Sequence, residues 1–130
     1  MKSKNDMRTA LGKVRGMGSA KDGTDTFWRQ RLTAIANVPL LLFFVGLLIA
    51  MNGASYDEVR AVLANPFVAI VLLFVVVSAL VHMRIGMKEI IEDYVHDEGL
   101  KIALVLLNTF FAFAVAAACV FSLLKIAFGG

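Results

Sequence analysis

Polar and apolar residues are segregated into long blocks along this chain. The stretch 32–51 carries no charge, and its polar members are only Thr33 and Asn37. A second block opens at Pro66 and stays apolar through Val81, and a third covers 100–128 with only Lys101, Asn108 and Lys125 as charged or amide members. A helix rising 1.5 Å per residue needs roughly 20 apolar residues to cross about 30 Å of hydrocarbon. The pattern therefore predicts an all-α membrane protein with three transmembrane helices, at about 32–51, 66–87 and 100–128, and no strands.

Local signals refine these spans. Pro39 removes the backbone bond to the carbonyl of Ile35 and predicts a kink in the first helix. The stretch 52–65, with Gly53, Ser55, Asp57, Glu58 and Arg60, reads as a short loop holding at most one helical turn. Pro66 falls at a first helical turn, where proline is best tolerated. Beyond Val81 the helical pattern continues through His82, Arg84 and Lys88 to about Tyr94, so the second helix should protrude into water. His96, Asp97, Glu98 and Gly99 form a polar turn before the third span.

Composition agrees with a membrane solvent. The chain has 130 residues, of which 59% are hydrophobic, and a mean hydropathy of +0.78. A soluble domain of that length cannot hide so much apolar surface. Eight of the thirteen Lys and Arg precede the first apolar run, so residues 1–27 form a basic arm ahead of a membrane domain at 28–130. The arm mixes Asp and Gly with its cations and lacks interleaved aromatics, which suits a membrane surface or a docking partner and argues against nucleic acid. No short apolar stretch with a cleavage site precedes residue 32, so a retained N-terminus is expected. The single cysteine, Cys119, excludes an intrachain disulfide. The eight Lys and Arg ahead of the first apolar run, Arg29 and Arg31 included, together with Arg84, Lys88 and Lys101 make eleven of the thirteen, against Arg60 and Lys125 on the other side. The positive-inside rule then places the N-terminus on the cytoplasmic or mitochondrial matrix side.

An ionisable residue at membrane depth is costly and marks a candidate functional site. His82 lies sixteen residues after Pro66, about 24 Å along the helix axis and below the membrane surface. Ser78 and Gly86 stand about 40° to either side of it, giving a stripe of small residues around the imidazole. Two readings fit. The stripe leaves room for a flat group such as a haem, whose iron imidazole commonly ligates, or it serves plain helix packing. Asp93 is about 20° from His82 on the same face, with Tyr94 beside it. Tyr94 could donate a hydrogen bond to a carbonyl oxygen, or act as an interfacial anchor beside a solvated Asp93. Trp28, Arg29 and Arg31 suit a helix entrance at the interface, and Arg31 could also pair with an acidic cofactor group. Asn37, Asn108 and Thr33 read as interhelical hydrogen-bond formers, and Cys119, Phe110, Phe111 and Phe113 as packing or lipid-facing bulk. No nucleophile triad, phosphate loop or metal-ligand cluster is visible.

The run from His82 through Gly86 to Asp93-Tyr94 is similar to the H-x-x-x-G-x(6)-D-Y signature of the hydrophobic membrane anchor proteins of succinate dehydrogenases. Arg31-Leu32-Thr33-Ala34 resembles that family's Arg-x-Thr-Ala helix entrance, and the three-span layout leaves only roughly the first twenty residues unmatched. The resemblance implies half of a heterodimeric helical bundle, noncatalytic by itself, in a succinate:ubiquinone oxidoreductase of respiratory electron transfer and the tricarboxylic acid cycle. Its implied partners are a cytochrome b membrane subunit, an iron-sulfur subunit and a flavoprotein subunit, in a bacterial inner membrane ahead of a mitochondrial one. It further implies that His82 is an axial ligand of a shared haem b, with Ser78 and Gly86 beside the ring. Arg31 would lie near the haem propionates or quinone pocket, and Tyr94 and Asp93 would bind ubiquinone. Arg84, Lys88 and Glu89 are unusually polar for this segment and fit a helix end facing an iron-sulfur protein. The competing classes are a small transporter subunit with His82 on an ion path, and a scaffold without haem.

Overall fold

The computed structural model describes residues 20–129, with side chains from residue 23 onward. Four helices follow one another: α1 (Ala20–Ala50), α2 (Tyr56–Ala64), α3 (Pro66–Tyr94) and α4 (Glu98–Ala127). There is no strand among the described residues. Three of the helices, α1, α3 and α4, are long and apolar enough to cross a membrane. Residues 20–27 of the basic arm are already helical, the start of α1, whereas residues 1–19 lie outside the described residues. α1 passes Pro39 as one continuous helix.

The connection 52–65 is not the loop expected from its polar composition. Nine of its residues form α2, which is held at its start by a reciprocal cap. The backbone N–H of Ser55 donates to Glu58 Oε2 at 2.7 Å, and the backbone N–H of Glu58 donates to Ser55 Oγ at 3.4 Å. That pair satisfies two backbone donors at an otherwise unpaired helix start. Gly53, at φ +82, turns the chain between α1 and α2 where a side chain would be strained. Asn65 then closes α2 and opens α3, accepting from the backbone N–H of Phe67 at 3.0 Å ahead of a first turn that contains Pro66. Asp97 caps α4 in the same way, accepting from Leu100 N–H at 2.7 Å.

α3 is central, with α1 on one flank and α4 on the other, while the backbones of α1 and α4 do not come close to each other. The short α2 packs against α3 and α4. Ala69, Leu72 and Val75 of α3 and Ala112 of α4 are buried, and their mostly small side chains let helices approach closely. Little else is covered. Only 6%, 17% and 11% of the most apolar windows of α1, α3 and α4 are buried, and Ile35, Leu42, Phe110 and Phe113 stand exposed. Such a surface is stable only against hydrocarbon or other apolar protein.

Candidate functional site

One face of α1 carries Gln30, Thr33 and Asn37, which fall within about 60° of one another around the helix. This polar seam meets the Ser78, His82 and Gly86 stripe of α3. His82 is half-buried, and its Nδ1 lies 3.2 Å from Thr33 Oγ1. Ser78 Oγ donates to the Thr33 carbonyl at 3.5 Å. A Cβ at Gly86 would come within 3.1 Å of Gln30 Nε2, so α1 uses the missing side chain to approach. Helix packing, the second of the two readings of the stripe, therefore accounts for Ser78 and Gly86 within this chain.

The hydrogen bonds of Thr33 fix the state of the imidazole. A hydroxyl has one hydrogen, and Thr33 Oγ1 sits 2.8 Å from the Arg29 carbonyl and 3.1 Å from that of Gln30. The hydrogen goes to a helical carbonyl, the usual back-bond of a mid-helix threonine. Toward His82 the oxygen can then only accept, so Nδ1 carries the proton and donates. The other ring nitrogen, Nε2, has no hydrogen-bond partner among the described residues. Metal-bound histidines are held in this way, with one nitrogen donating to a neighbour and the other ligating.

Around this centre the remaining candidates separate. The guanidinium of Arg31 stacks on the Phe27 ring at 4.7 Å. Arg31 also lines an open cavity of about 620 Å³ between α1 and α3, together with Gln30, Lys88 and Glu89. Asp93 and Tyr94 are at the last turn of α3, both exposed, Tyr94 at 78%. They lie roughly 16 Å along the helix from His82, and no side chain of the described residues covers them. Asn108 behaves as its sequence position suggests, since its Nδ2 donates to the Arg84 carbonyl at 2.9 Å and ties α4 to α3. Asn37 departs from that expectation: its Oδ1 is buried without a partner among the described residues, as is Gln30 Oε1. Cys119 is half-buried among apolar side chains. No group of three or more metal-ligating side chains occurs among the described residues.

Three long apolar helices and a polar seam built around one oriented histidine define a multi-span helical membrane protein whose exposed surface requires lipid or neighbouring apolar protein. Residues 5–116 match the family of succinate dehydrogenase/fumarate reductase transmembrane subunits, and the chain belongs to that family. It is 30% identical over 114 residues to a succinate dehydrogenase hydrophobic membrane anchor subunit of Paracoccus denitrificans, covering 88% of each chain. A protein of the same description from Rickettsia bellii is 32% identical over 101 residues, covering 78% of this chain and 81% of that one. The succinate dehydrogenase membrane anchor subunit of Reclinomonas americana is 30% identical over 90 residues, covering 67% of this chain and 75% of its own.

Proposed function

We propose that this chain anchors a succinate:ubiquinone oxidoreductase in a bacterial inner membrane, with its N-terminus on the cytoplasmic side. There it would supply half of a haem b cage and part of a ubiquinone pocket. The observation that carries the reading is the Thr33 hydroxyl 3.2 Å from His82 Nδ1, because it engages one ring nitrogen and leaves Nε2 open toward a haem iron. A lone histidine suits haem better than a free metal ion, since the porphyrin itself supplies most of the ligands of the iron. His82 would hold the haem together with the cytochrome b partner, packed on the apolar surface this chain leaves uncovered. When bound, the haem provides a one-electron carrier.

The chain's own residues would act as follows. Thr33 keeps the proton on Nδ1 and fixes the ring orientation. Ser78 and Gly86 hold α3 against α1, so that this hydrogen bond persists. Arg31, at the open cavity near the α1–α3 end, would offset the charge of haem propionates. Reduction of ubiquinone takes up two electrons and two protons, and negative charge develops on its oxygens. Tyr94 can donate a hydrogen bond to one of them, with Asp93 as a neighbouring proton acceptor. The exposure of both side chains leaves them available to a pocket completed by the iron-sulfur and cytochrome partners.

An absorption spectrum of the purified complex tests the haem assignment. The reduced b-type band should disappear in His82→Ala, and an unchanged band in that variant would overturn it. For the quinone, Tyr94→Phe should lower quinone reductase activity while sparing succinate oxidation by a soluble dye. Equal loss of both would reject the role of Tyr94.

A further inference from the structure

The backbones of α1 and α4 stand apart, and a groove lies between them with α3 as its floor. At the end of the groove next to the basic arm is a cavity of about 270 Å³ lined by Thr26 and Arg29 of α1, Arg84 and Lys88 of α3, and Asn108 and Thr109 of α4. Three cations from two helices thus converge on one pocket rimmed by hydroxyl and amide groups. Only part of this charge is used among the described residues. Lys88 pairs with Glu92 at 3.5 Å, and Arg84 Nε donates to Thr109 Oγ1 at 3.4 Å. The other guanidinium nitrogens of Arg84, and all those of Arg29, lack a partner among the described residues. Cations gathered this closely repel one another, and an anion between them relieves that repulsion.

The groove also shows what kind of anion fits. Val81 and Arg84 are shared with a second cavity of about 190 Å³, lined by Val77, Leu80, Phe113 and Ala116, that continues deeper into the membrane between α3 and α4. Arg84 therefore stands where a basic pocket passes into an apolar slot. It lies eighteen residues after Pro66, about 27 Å along the helix and near the edge of a hydrocarbon core about 30 Å thick. A free phosphate would use only the basic part. A molecule with an anionic phosphate at the interface and a hydrocarbon chain below it uses both. Basic pockets between transmembrane helices on the cytoplasmic side take such headgroups.

We infer that the α1–α3–α4 groove is a binding site for an anionic phospholipid. Arg29, Arg84 and Lys88 hold its phosphate, and the slot beside Phe113 and Ala116 takes an acyl chain. The site is separate from the His82 seam and does not depend on haem.

The test uses the intact complex, delipidated in detergent and titrated with dioleoylphosphatidylglycerol or dioleoylphosphatidylcholine, with bound lipid counted by native mass spectrometry. Inorganic phosphate serves as competitor. Each interfacial cation contributes about fivefold to anionic lipid binding, so Arg29→Gln/Arg84→Gln should weaken phosphatidylglycerol retention roughly thirtyfold and abolish its preference over phosphatidylcholine. Arg84→Lys should keep most of the preference. Ala116→Trp, which fills the slot and leaves the cations intact, should also reduce retention. Lys125→Gln, at the far end of α4, should not. An unchanged count in the double variant, with the complex still assembled, would overturn the site. Full displacement by millimolar phosphate, together with indifference to Ala116→Trp, would overturn the lipid in favour of a free anion.

Discussion

Thr33 on α1 and His82 on α3 are 49 positions apart in sequence, yet the threonine oxygen lies 3.2 Å from the imidazole Nδ1. That oxygen also lies 2.8 Å from the Arg29 carbonyl and 3.1 Å from that of Gln30, which compete for its single hydrogen and leave it placed to accept from the imidazole. The contact couples the first and second spans and engages one of the two ring nitrogens of the histidine.

Thr33→Val should therefore act through His82. It leaves a part-buried N–H without an acceptor, which costs about 1–3 kcal/mol. Loss of such an outer partner typically weakens metal binding about 10- to 100-fold. The imidazole also becomes a poorer electron donor, so the midpoint potential of the haem should shift upward. Thr33→Ser restores the hydroxyl and should restore both properties. Haem content by pyridine haemochrome and a redox titration of the complex check this, and a valine variant with native retention and potential would show that the bond does not orient the ligand.

At Gly86 the side-chain volume tolerated is limited by Gln30. A methyl group would meet only the amide nitrogen at the end of a flexible side chain, 3.1 Å away, which can swing aside. Gly86→Ala should cost less than about 1 kcal/mol, because alanine regains helix propensity of similar size. Gly86→Leu has no such escape and should cost about 1–3 kcal/mol by pushing α1 from α3. Thermal stability of the complex, followed with haem content, distinguishes the two. Equal tolerance of alanine and leucine would mean that α1 does not approach at this position.

Asn108 and Asn37 offer a contrast between a paired and an unpaired buried amide. Asn108 is 9% exposed and donates across to α3. Asn108→Ala should lower stability by about 0.6 kcal/mol, the average for interhelical bonds in membranes, and by no more than about 1.7 kcal/mol. Asn37 Oδ1 has no partner, so Asn37→Leu should be neutral or stabilising for the chain. Unfolding in mixed micelles with increasing SDS measures both. A large loss for Asn37→Leu would reveal a contact made outside this chain.

The three spans were legible because hydrocarbon imposes a length and an apolar composition that no other environment demands, and the expected spans 32–51, 66–87 and 100–128 fall on the helices Ala20–Ala50, Pro66–Tyr94 and Glu98–Ala127. The histidine was legible for the same reason, as the ionisable group that membrane depth makes costly. Its partner was not. Periodicity places Thr33 on a face of α1 but says nothing of which α3 residue that face meets, since this depends on the register between helices 49 positions apart. The same limit hid the basic groove, where Arg29, Arg84 and Thr109 come from three helices. The missed α2 is different, because Ser55-x-x-Glu58 is a local capping signal present in the sequence. Its polar first turn masked the helix that followed.

That cap supplies a pH-dependent prediction outside the membrane. The Ser55 backbone N–H, and after it the Ser55 hydroxyl, hold the Glu58 carboxyl below its ordinary value of 4.5. A group whose folded value is depressed contributes stability that is complete above the unfolded value and is lost as pH falls through the folded one. The start of α2 should thus be fully capped at neutral pH and loosen only as acidity passes below 4.5. Hydrogen exchange at the Ser55 amide, corrected for its intrinsic pH dependence, should accelerate in that range. Glu58→Gln cannot titrate, so its exchange should show no such step. A wild-type amide protected equally at about pH 6 and about pH 3 would mean that the carboxylate form of Glu58 does not hold this cap.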